Sequence, residues 1–184
     1  QNSFQTWTVL EASNLESVEG TILHQETDAT VVASGPVLFQ DDYRFIASAP
    51  LKRVTGLKLD VLPHESHTQG KYSRGESGEF ILTDVKLQVR KRGRSQVTDI
   101  ELESAVANVE KQVKGRNYGN VKDTLDDDPR NGWTTEGNDE IETRTAVFAL
   151  AEPLVLTDDE ELIFVMLHRS TTGDANIGRF RLSA

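Results

Sequence analysis

The segment Asp126–Trp133 reads Asp-Asp-Asp-Pro-Arg-Asn-Gly-Trp and holds the residues best suited to metal chemistry. Three adjacent carboxylates repel one another unless water or a cation neutralises them. Calcium takes about six to eight oxygen ligands, and short Asp and Asn side chains in a tight loop supply such oxygens. We therefore predict a structural Ca²⁺ held by Asp126, Asp128 and Asn131, with Trp133 returning the chain to the core. The alternative is a solvated acidic turn.

The other patterns that could carry catalysis are weaker. His64 and His67 lie three residues apart in a polar loop without an evident third ligand, so we expect a solvated pair. The sequence has no Gly-x-Ser-x-Gly motif, no phosphate-binding glycine loop and no Cys, which excludes a thiol nucleophile and a Cys-x-x-Cys-His haem attachment. We predict no catalytic residue and no haem in this chain.

Aromatic residues in loops are the candidates for a ligand platform. A sugar ring stacks on an aromatic ring that is exposed and flat against it. Tyr72 and Tyr118 lie in glycine-containing loop sequence and are predicted as ligand-binding residues, whereas Trp7 and Trp133 flank strands and are expected in the core. Exposure without function is the alternative for either tyrosine.

Alternation of apolar and polar residues predicts the elements that position these groups. Three runs are strongest: Val54–Leu62, Phe80–Arg90 and Ile163–Leu167, the last apolar on both faces. Shorter candidate strands are Trp7–Leu10, Thr21–Leu23, Thr30–Ala33, Arg44–Ala47, Asp99–Glu103, Thr145–Leu150 and Gly178–Leu182. The best helical candidate, Ala105–Lys114, reads equally well as an irregular strand.

About ten short strands without intervening helices are typical of a sandwich or a barrel. We predict an all-β, antiparallel β-sandwich of the jelly-roll (galactose-binding-like) type with little helix. The polar segment His64–Gly78 is expected as a long surface loop, and the stretch 117–142 collects much of the acidic excess. Without repeats or a linker, residues 1–184 are predicted to form one domain.

Composition narrows the functional classes. The chain has 20 basic and 30 acidic residues, a formal net charge of −10, and nucleic-acid binding requires clustered basic residues in excess. The basic stretch Lys86–Arg94 is expected on the solvent side of a strand. No apolar run approaches the ~20 residues of a membrane span. The absence of a starting Met and of a signal-like segment suggests a fragment of a larger protein.

Most of the chain, from Trp7 to Leu182, resembles a recurring module of large planctomycete-type secreted cytochrome proteins. The stretches that carry the resemblance are Tyr43-Arg-Phe-Ile-Ala47, Val54-Thr-Gly-Leu-Lys-Leu-Asp-Val-Leu-Pro63, Gly75-Glu-Ser-Gly-Glu-Phe-Ile-Leu-Thr-Asp-Val85 and Ile177-Gly-Arg-Phe-Arg-Leu-Ser183. Lys71-Tyr-Ser-Arg74 and Glu79 depart from the family's Gly-Pro-Gly-Arg turn and its Gly-Asn-Phe-Val-Leu-Thr-Glu string. The resemblance implies an accessory domain of an exported (periplasmic or extracellular) protein, with neighbouring domains of the same parent chain as partners.

The acidic segment also resembles a second pattern, the Asp-Gly-Asp-x-x-Thr-x-Trp turn of discoidin-like, galactose-binding-like jelly rolls. Asp126, Asp128, Asn131 and Trp133 match its two Asp, its Thr and its Trp. Asp127 replaces the glycine of a left-handed position, which Asp tolerates better than most residues. In that family the loop often helps to hold a structural calcium.

These observations favour a non-catalytic accessory module that binds carbohydrate or another surface ligand and holds a structural calcium. The alternative is a structural spacer that packs against neighbouring domains of a cytochrome-type protein. A glycan module should present an exposed aromatic beside converging polar groups. A spacer should present a contiguous apolar patch.

Overall fold

The alternating segments form strands in the structure, a computed structural model that describes residues 6–48, 50–111 and 118–184. Strands account for 45% of the described residues and helix for 5%, which confirms the all-β prediction. In chain order the strands are β1 (Asn14–Ser17), β2 (Ile22–Gln25), β3 (Val31–Ser34), β4 (Asp41–Ser48), β5 (Arg53–Val61), β6 (Asp84–Lys91), β7 (Val97–Ile100), β8 (Leu102–Ala107), β9 (Arg144–Val155), β10 (Glu160–His168) and β11 (Arg179–Ser183). Two short 3₁₀ helices span Thr68–Gly70 and Val121–Leu125.

The strands form two antiparallel sheets that pack face to face, so the sandwich prediction is confirmed. One sheet has the order β1-β4-β10-β6-β7 and the other the order β2-β3-β11-β5-β9-β8. The jelly-roll subclass stays a prediction. Neither short helix of the described chain has the length and apolar character that crossing a bilayer would require.

Both sheets contribute to one apolar core. The predicted inner residues of β5 and β6 are buried there: Leu57, Leu59, Val61, Val85, Leu87 and Val89. β10 is apolar on both faces, as predicted, because it is the central strand of its sheet. Its outward residues Ile163, Val165 and Leu167 form a second buried cluster with Ile46.

Some predicted boundaries differ from the structure. β6 begins only at Asp84, because Leu82 instead makes an isolated bridge with Trp133. The Asp99–Glu103 run is divided between β7 and β8, where the chain crosses from one sheet to the other. Ala105–Lys114 enters β8 with its first three residues, and its end lies outside the described residues.

The expectation that His64–Gly78 is a surface loop holds only for part of the segment, since Glu65, Ser66, Gln69, Glu76 and Ser77 are exposed. The side chains of His67, Tyr72 and Ser73 are buried. Backbone bonds hold the segment closed on itself, since the amides of Tyr72 and Ser73 both donate to the carbonyl of Gly78 at 2.8 and 3.0 Å. Its polar composition therefore reflects both these turns and the exposed positions between them.

Candidate functional site

The acidic turn brings together part of the predicted metal set. Asp126 accepts hydrogen bonds from the Asp128 amide at 3.0 Å and from the Asn131 Nδ2 at 2.6 Å. Asp128 instead accepts from the Arg130 guanidinium, through Nε and Nη2, at 2.9 Å each. The turn therefore places Asp126 against Asn131, while the carboxylate of Asp128 pairs with a cation of the same turn.

The backbone of the turn matches two expectations from the sequence. Asp127 has a φ of 57°, the left-handed conformation expected at the position where the similar turn has glycine. Trp133 returns to the core fully buried, and its Nε1 donates to the carbonyl of Val109 at 2.9 Å. Gly132 is required between them, because a Cβ there would lie 2.4 Å from the carbonyl oxygen of Leu82.

Calcium at this turn stays a prediction. Among the described residues, no three or more His, Cys, Asp or Glu side chains are arranged to hold a metal ion. The oxygen chemistry nevertheless suits calcium, and the Oδ1 of Asn131 is buried without a hydrogen-bond partner within the described chain. A bound ion would replace the Arg130 guanidinium as the partner of Asp128 and the Asn131 amide as the partner of Asp126.

A carboxyl pair links the turn to the sheet. Asp84, at the start of β6, is buried and shares a side-chain hydrogen bond with Asp127. Burial, followed by this bond and the charge of Asp127, raises the pKa of Asp84 to about 7. The bond from Asp84 lowers the pKa of Asp127, and the Nζ of Lys86 lies 3.5 Å from the Asp127 Oδ1. Asp84 thus carries the proton of this pair.

An ion pair lies beside these carboxyls. Arg169 follows β10 and donates to both carboxylate oxygens of Asp42 on β4, with its Nη2 2.7 Å from Oδ2. The hydrogen bond to Asp42 raises the pKa of Arg169, and the charges of Asp127 and Asp84 add to the effect. Strand register places Asp42, Leu167 and Asp84 in one row on the outer face of the sheet.

Tyr72 is not available as a surface platform. Its side chain is only 1% exposed, so the expectation of an exposed ring is wrong. Its hydroxyl donates to the carbonyl of Glu142 at 2.7 Å and accepts from the amide of the same residue at 3.1 Å. The guanidinium of Arg144 lies 5.0 Å from the ring centroid. The buried Tyr72 therefore connects its own loop to the segment that contains Glu142.

Tyr118 is half-buried and connects two loops at the end of the sandwich where the acidic turn lies. Its hydroxyl donates to the carbonyl of Pro129 at 2.6 Å and accepts from the amide of Thr171 at 3.0 Å. These bonds tie the acidic turn to the loop that follows β10. The tyrosine thus orders the loops that surround the Asp42–Arg169 pair.

A cleft opens at this end beside an exposed aromatic ring. Phe39 is 60% exposed. It lines a cavity of about 500 Å³ together with Val18, Glu19, Leu38, Gln40, Asp41, Asp42 and Arg169. We call this the Phe39 cleft. It combines an apolar ring, a buried carboxylate and a planar guanidinium, a combination suited to a ligand with an apolar face and several hydroxyls.

The ring of Phe39 is held in place by the loop after β10. Gly173 lies under it, since a Cβ on this residue would be 2.1 Å from Cε2 of the ring. The Asp174 amide donates to the Phe39 carbonyl at 2.7 Å, and the Gln40 Nε2 donates to the Ser170 carbonyl at 2.9 Å. These bonds fix the backbone that carries the ring, which reduces the conformational entropy lost by this segment when a ligand binds.

The opposite wall of the cleft is fixed by Asp41. Its buried carboxylate accepts hydrogen bonds from the amides of Val18, Glu19 and Thr21 at 2.8 to 3.0 Å. Burial opposes ionisation of this group, but the hydrogen bonds outweigh it and lower the pKa of Asp41. A permanent carboxylate therefore anchors the segment that carries Val18 and Glu19.

The sequence-based reasoning did not identify Phe39, Asp42 or Arg169. Asp42 and Arg169 are far apart in the chain and meet only through the pairing of β4 with β10. Phe39 carried a usable signal, because it follows Gly35-Pro36 in a segment without alternation. Trp7 was expected in the core but packs on Gly56 at the outer face of β5 and is only half-buried.

Comparison with protein-family models, with curated proteins and with solved structures found no match to this chain.

Proposed function

We propose that this domain is a non-catalytic accessory module that binds carbohydrate in the Phe39 cleft. The observation that carries the proposal is an exposed aromatic ring that lies against Gly173, beside the Asp42–Arg169 ion pair. The non-catalytic assignment rests on the sequence, which contains none of the nucleophile or phosphate-binding motifs described above. The resemblance to a module of secreted cytochrome proteins adds to the proposal that the parent protein is exported.

The chemistry of the cleft suits a sugar ring. The C–H face of a pyranose packs on an aromatic ring such as Phe39, which removes apolar surface from water. The Asp42 carboxylate can accept from a hydroxyl, and an N–H of Arg169 can donate to the adjacent one. Because the two groups already bind each other, they are held in position before the ligand arrives.

Calcium in the acidic turn has a structural role in this proposal. The turn is tied to the loop after β10 through Tyr118, so an ion there would stiffen one side of the cleft. Asp126, Asp128 and Asn131 would hold it. None of these side chains would touch the sugar.

The test is a titration of the isotope-labelled domain with a panel of neutral oligosaccharides, followed by NMR amide shifts. We expect shifts at Phe39, Asp42 and Arg169, and loss of binding in Phe39→Ala. The matched control is Val106→Ala, which removes a side chain that is 59% exposed on β8. The absence of binding across the panel, with the domain folded and calcium present, would argue against carbohydrate as the ligand.

A structural spacer is the second candidate, and the same region supports it. Val18, at 53% exposure, lines the cleft, and Val37, at 55% exposure, lies two residues before Phe39 in the chain. A neighbouring domain of the parent chain could cover them. In that case Val18→Ser and Val37→Ser would weaken packing between this domain and its neighbour in the parent protein, while Asp42→Ala would have a smaller effect.

A further inference from the structure

A second cavity opens between the two sheets near the β6–β7 hairpin. Register pairs Val89 with Thr98 and Leu87 with Ile100, so all four side chains face the inner side of their sheet. Leu154 of β9 faces them from the other sheet. The cavity has a volume of about 660 Å³ and is lined by Val89, Arg90, Lys91, Arg94, Ser95, Gln96, Thr98, Ile100, Leu154 and Glu160. We call it the hairpin crevice.

The crevice exists because β7 is a short edge strand of only four residues. Ile100 and Leu154 pack against the edge of the core and are only partly buried. Apolar side chains in such a position remain in contact with water unless another apolar group covers them. A volume of this size lies within the range of about 300–1,000 Å³ that is typical of small-molecule sites.

Cationic groups flank this apolar floor. Within the described chain, the Arg94 guanidinium has no carboxylate partner, and the ammonium of Lys91 lies 3.8 Å from Asp159 in an exposed, weak pair. The nearby acids face other partners. Glu160 accepts from the amide and hydroxyl of Thr157, and Glu161 accepts from Arg90. Among the charged residues that line the crevice, three are basic (Arg90, Lys91 and Arg94) and one is acidic (Glu160), so its lining carries a positive excess.

We propose that the hairpin crevice binds a single-chain amphiphile with an anionic head, of the medium-chain carboxylate type. The aliphatic chain lies over Ile100 and Leu154, which are only partly buried, and displaces water from them. The carboxylate binds the fork of Arg94, which presents parallel N–H donors to two carboxylate oxygens. Lys91 adds a second positive charge, and the hydroxyl of Thr98 lies on the wall between head and chain.

This site is separate from the Phe39 cleft. Asp84 begins β6 beside the acidic turn, whereas Lys91 ends the same strand at the hairpin. The two cavities therefore lie at opposite ends of β6. They also differ in chemistry, since the cleft offers a carboxylate and the crevice offers the Arg94 guanidinium, which has no carboxylate partner within the described chain.

The experiment uses sodium decanoate below its critical micelle concentration, measured by calorimetry and by NMR shifts of the described domain. We expect saturable binding with shifts at Thr98, Ile100 and Leu154. Decyltrimethylammonium, which has the same chain and a positive head, should bind at least about tenfold more weakly. Equal binding of the two probes, or no binding of decanoate, would overturn the proposal.

Two variants locate the site. Arg94→Glu should weaken decanoate binding by about tenfold or more, whereas Lys122→Glu, an equal charge change outside the crevice, should not. Thr98→Trp should fill the crevice and abolish binding, with Thr55→Trp on β5 as the control for a bulky exposed strand residue. Thr98 and Thr55 are both exposed, so we expect the domain to fold with tryptophan at either position. The melting temperature of each variant verifies this. Unchanged binding in Arg94→Glu and Thr98→Trp would contradict the assignment.

Discussion

The carboxyl groups of Asp84 and Asp127 share a hydrogen bond between the first residue of β6 and the acidic turn. Two carboxylates can approach in this way only if one of them holds a proton or a cation replaces it. Asp84 is the buried partner and its pKa is raised to about 7, so it is the protonated one. The ionisation of Asp84 therefore contributes to how the turn is held on the sheet, beside the Leu82–Trp133 bridge.

Asp84→Asn should remove a specific pH dependence of stability. Because the folded pKa of about 7 lies above the ordinary value of 3.8, the folded state binds more protons between these values. The contribution of Asp84 is then complete below about pH 4 and is lost as pH rises through 7. The difference in urea midpoint between parent and variant should change from about pH 5 to about pH 8. The control is Asp99→Asn, the same substitution at an exposed position of β7.

His168 should produce the opposite dependence. Its ring is buried, its Nδ1 lies 2.9 Å from the carbonyl oxygen of Asp41, and burial lowers its pKa to about 4. The unfolded state therefore takes up a proton as pH falls below 6.5, and folding loses roughly 3 kcal/mol by about pH 4. His168→Gln should flatten this slope in denaturant titrations, whereas His24→Gln, at an exposed site, should leave it unchanged. An equal slope in His168→Gln would contradict the assignment.

Calcium binding should appear as added thermal stability. An ion that binds only the folded state stabilises it by about 3 kcal/mol at a hundredfold excess over Kd, which corresponds to roughly 5–10 °C in Tm for a domain of this size. Asp126→Ala combined with Asp128→Ala should abolish the shift in differential scanning calorimetry. The control pair is Asp139→Ala with Glu140→Ala. If neither chelator nor calcium changes the Tm of the parent protein, the turn is a solvated acidic loop.

Gly173→Ala should displace the ring of Phe39. The substitution places a Cβ 2.1 Å from the ring and forces alanine to a φ of 62°. We expect destabilisation of about 1–3 kcal/mol and weaker sugar binding. In the background of Phe39→Ala the steric part disappears, so a double-mutant cycle should give a coupling energy of about 1 kcal/mol or more. Simple additivity would show that the ring is not seated on Gly173.

The sequence predicted the strands because alternation is a local property. The runs that form β5 and β10 needed no information from elsewhere in the chain. Exposure in loops was harder to predict, and Tyr72 shows the reason. Its burial depends on the backbone of Glu142 and the side chain of Arg144, which reach it only after folding. The glycines near Tyr72 correctly predicted a turn, but they did not indicate which residues would pack against it.

The candidate site was beyond local patterns for a similar reason. Phe39 is a candidate because its ring lies against Gly173, and Asp42 is a candidate because it pairs with Arg169. Both contacts join residues that are far apart in the chain. A single sequence does not indicate which distant residues, such as Phe39 and Gly173, will be in contact. The acidic turn was identifiable because its residues are consecutive, and the left-handed conformation of Asp127 was expected from the resemblance to the discoidin-like turn, which has glycine at that position.

The central position of β10 has a consequence for how the chain folds during synthesis. β4 and β6 do not pair with each other, because β10 lies between them and pairs with both. Residues 41–91 therefore leave the ribosome long before residues 160–168 complete their sheet. Such non-local pairing gives a high contact order, which is typical of domains that fold in milliseconds to seconds. Until β10 arrives, two inner strand edges remain unpaired in the nascent chain and can join those of other molecules.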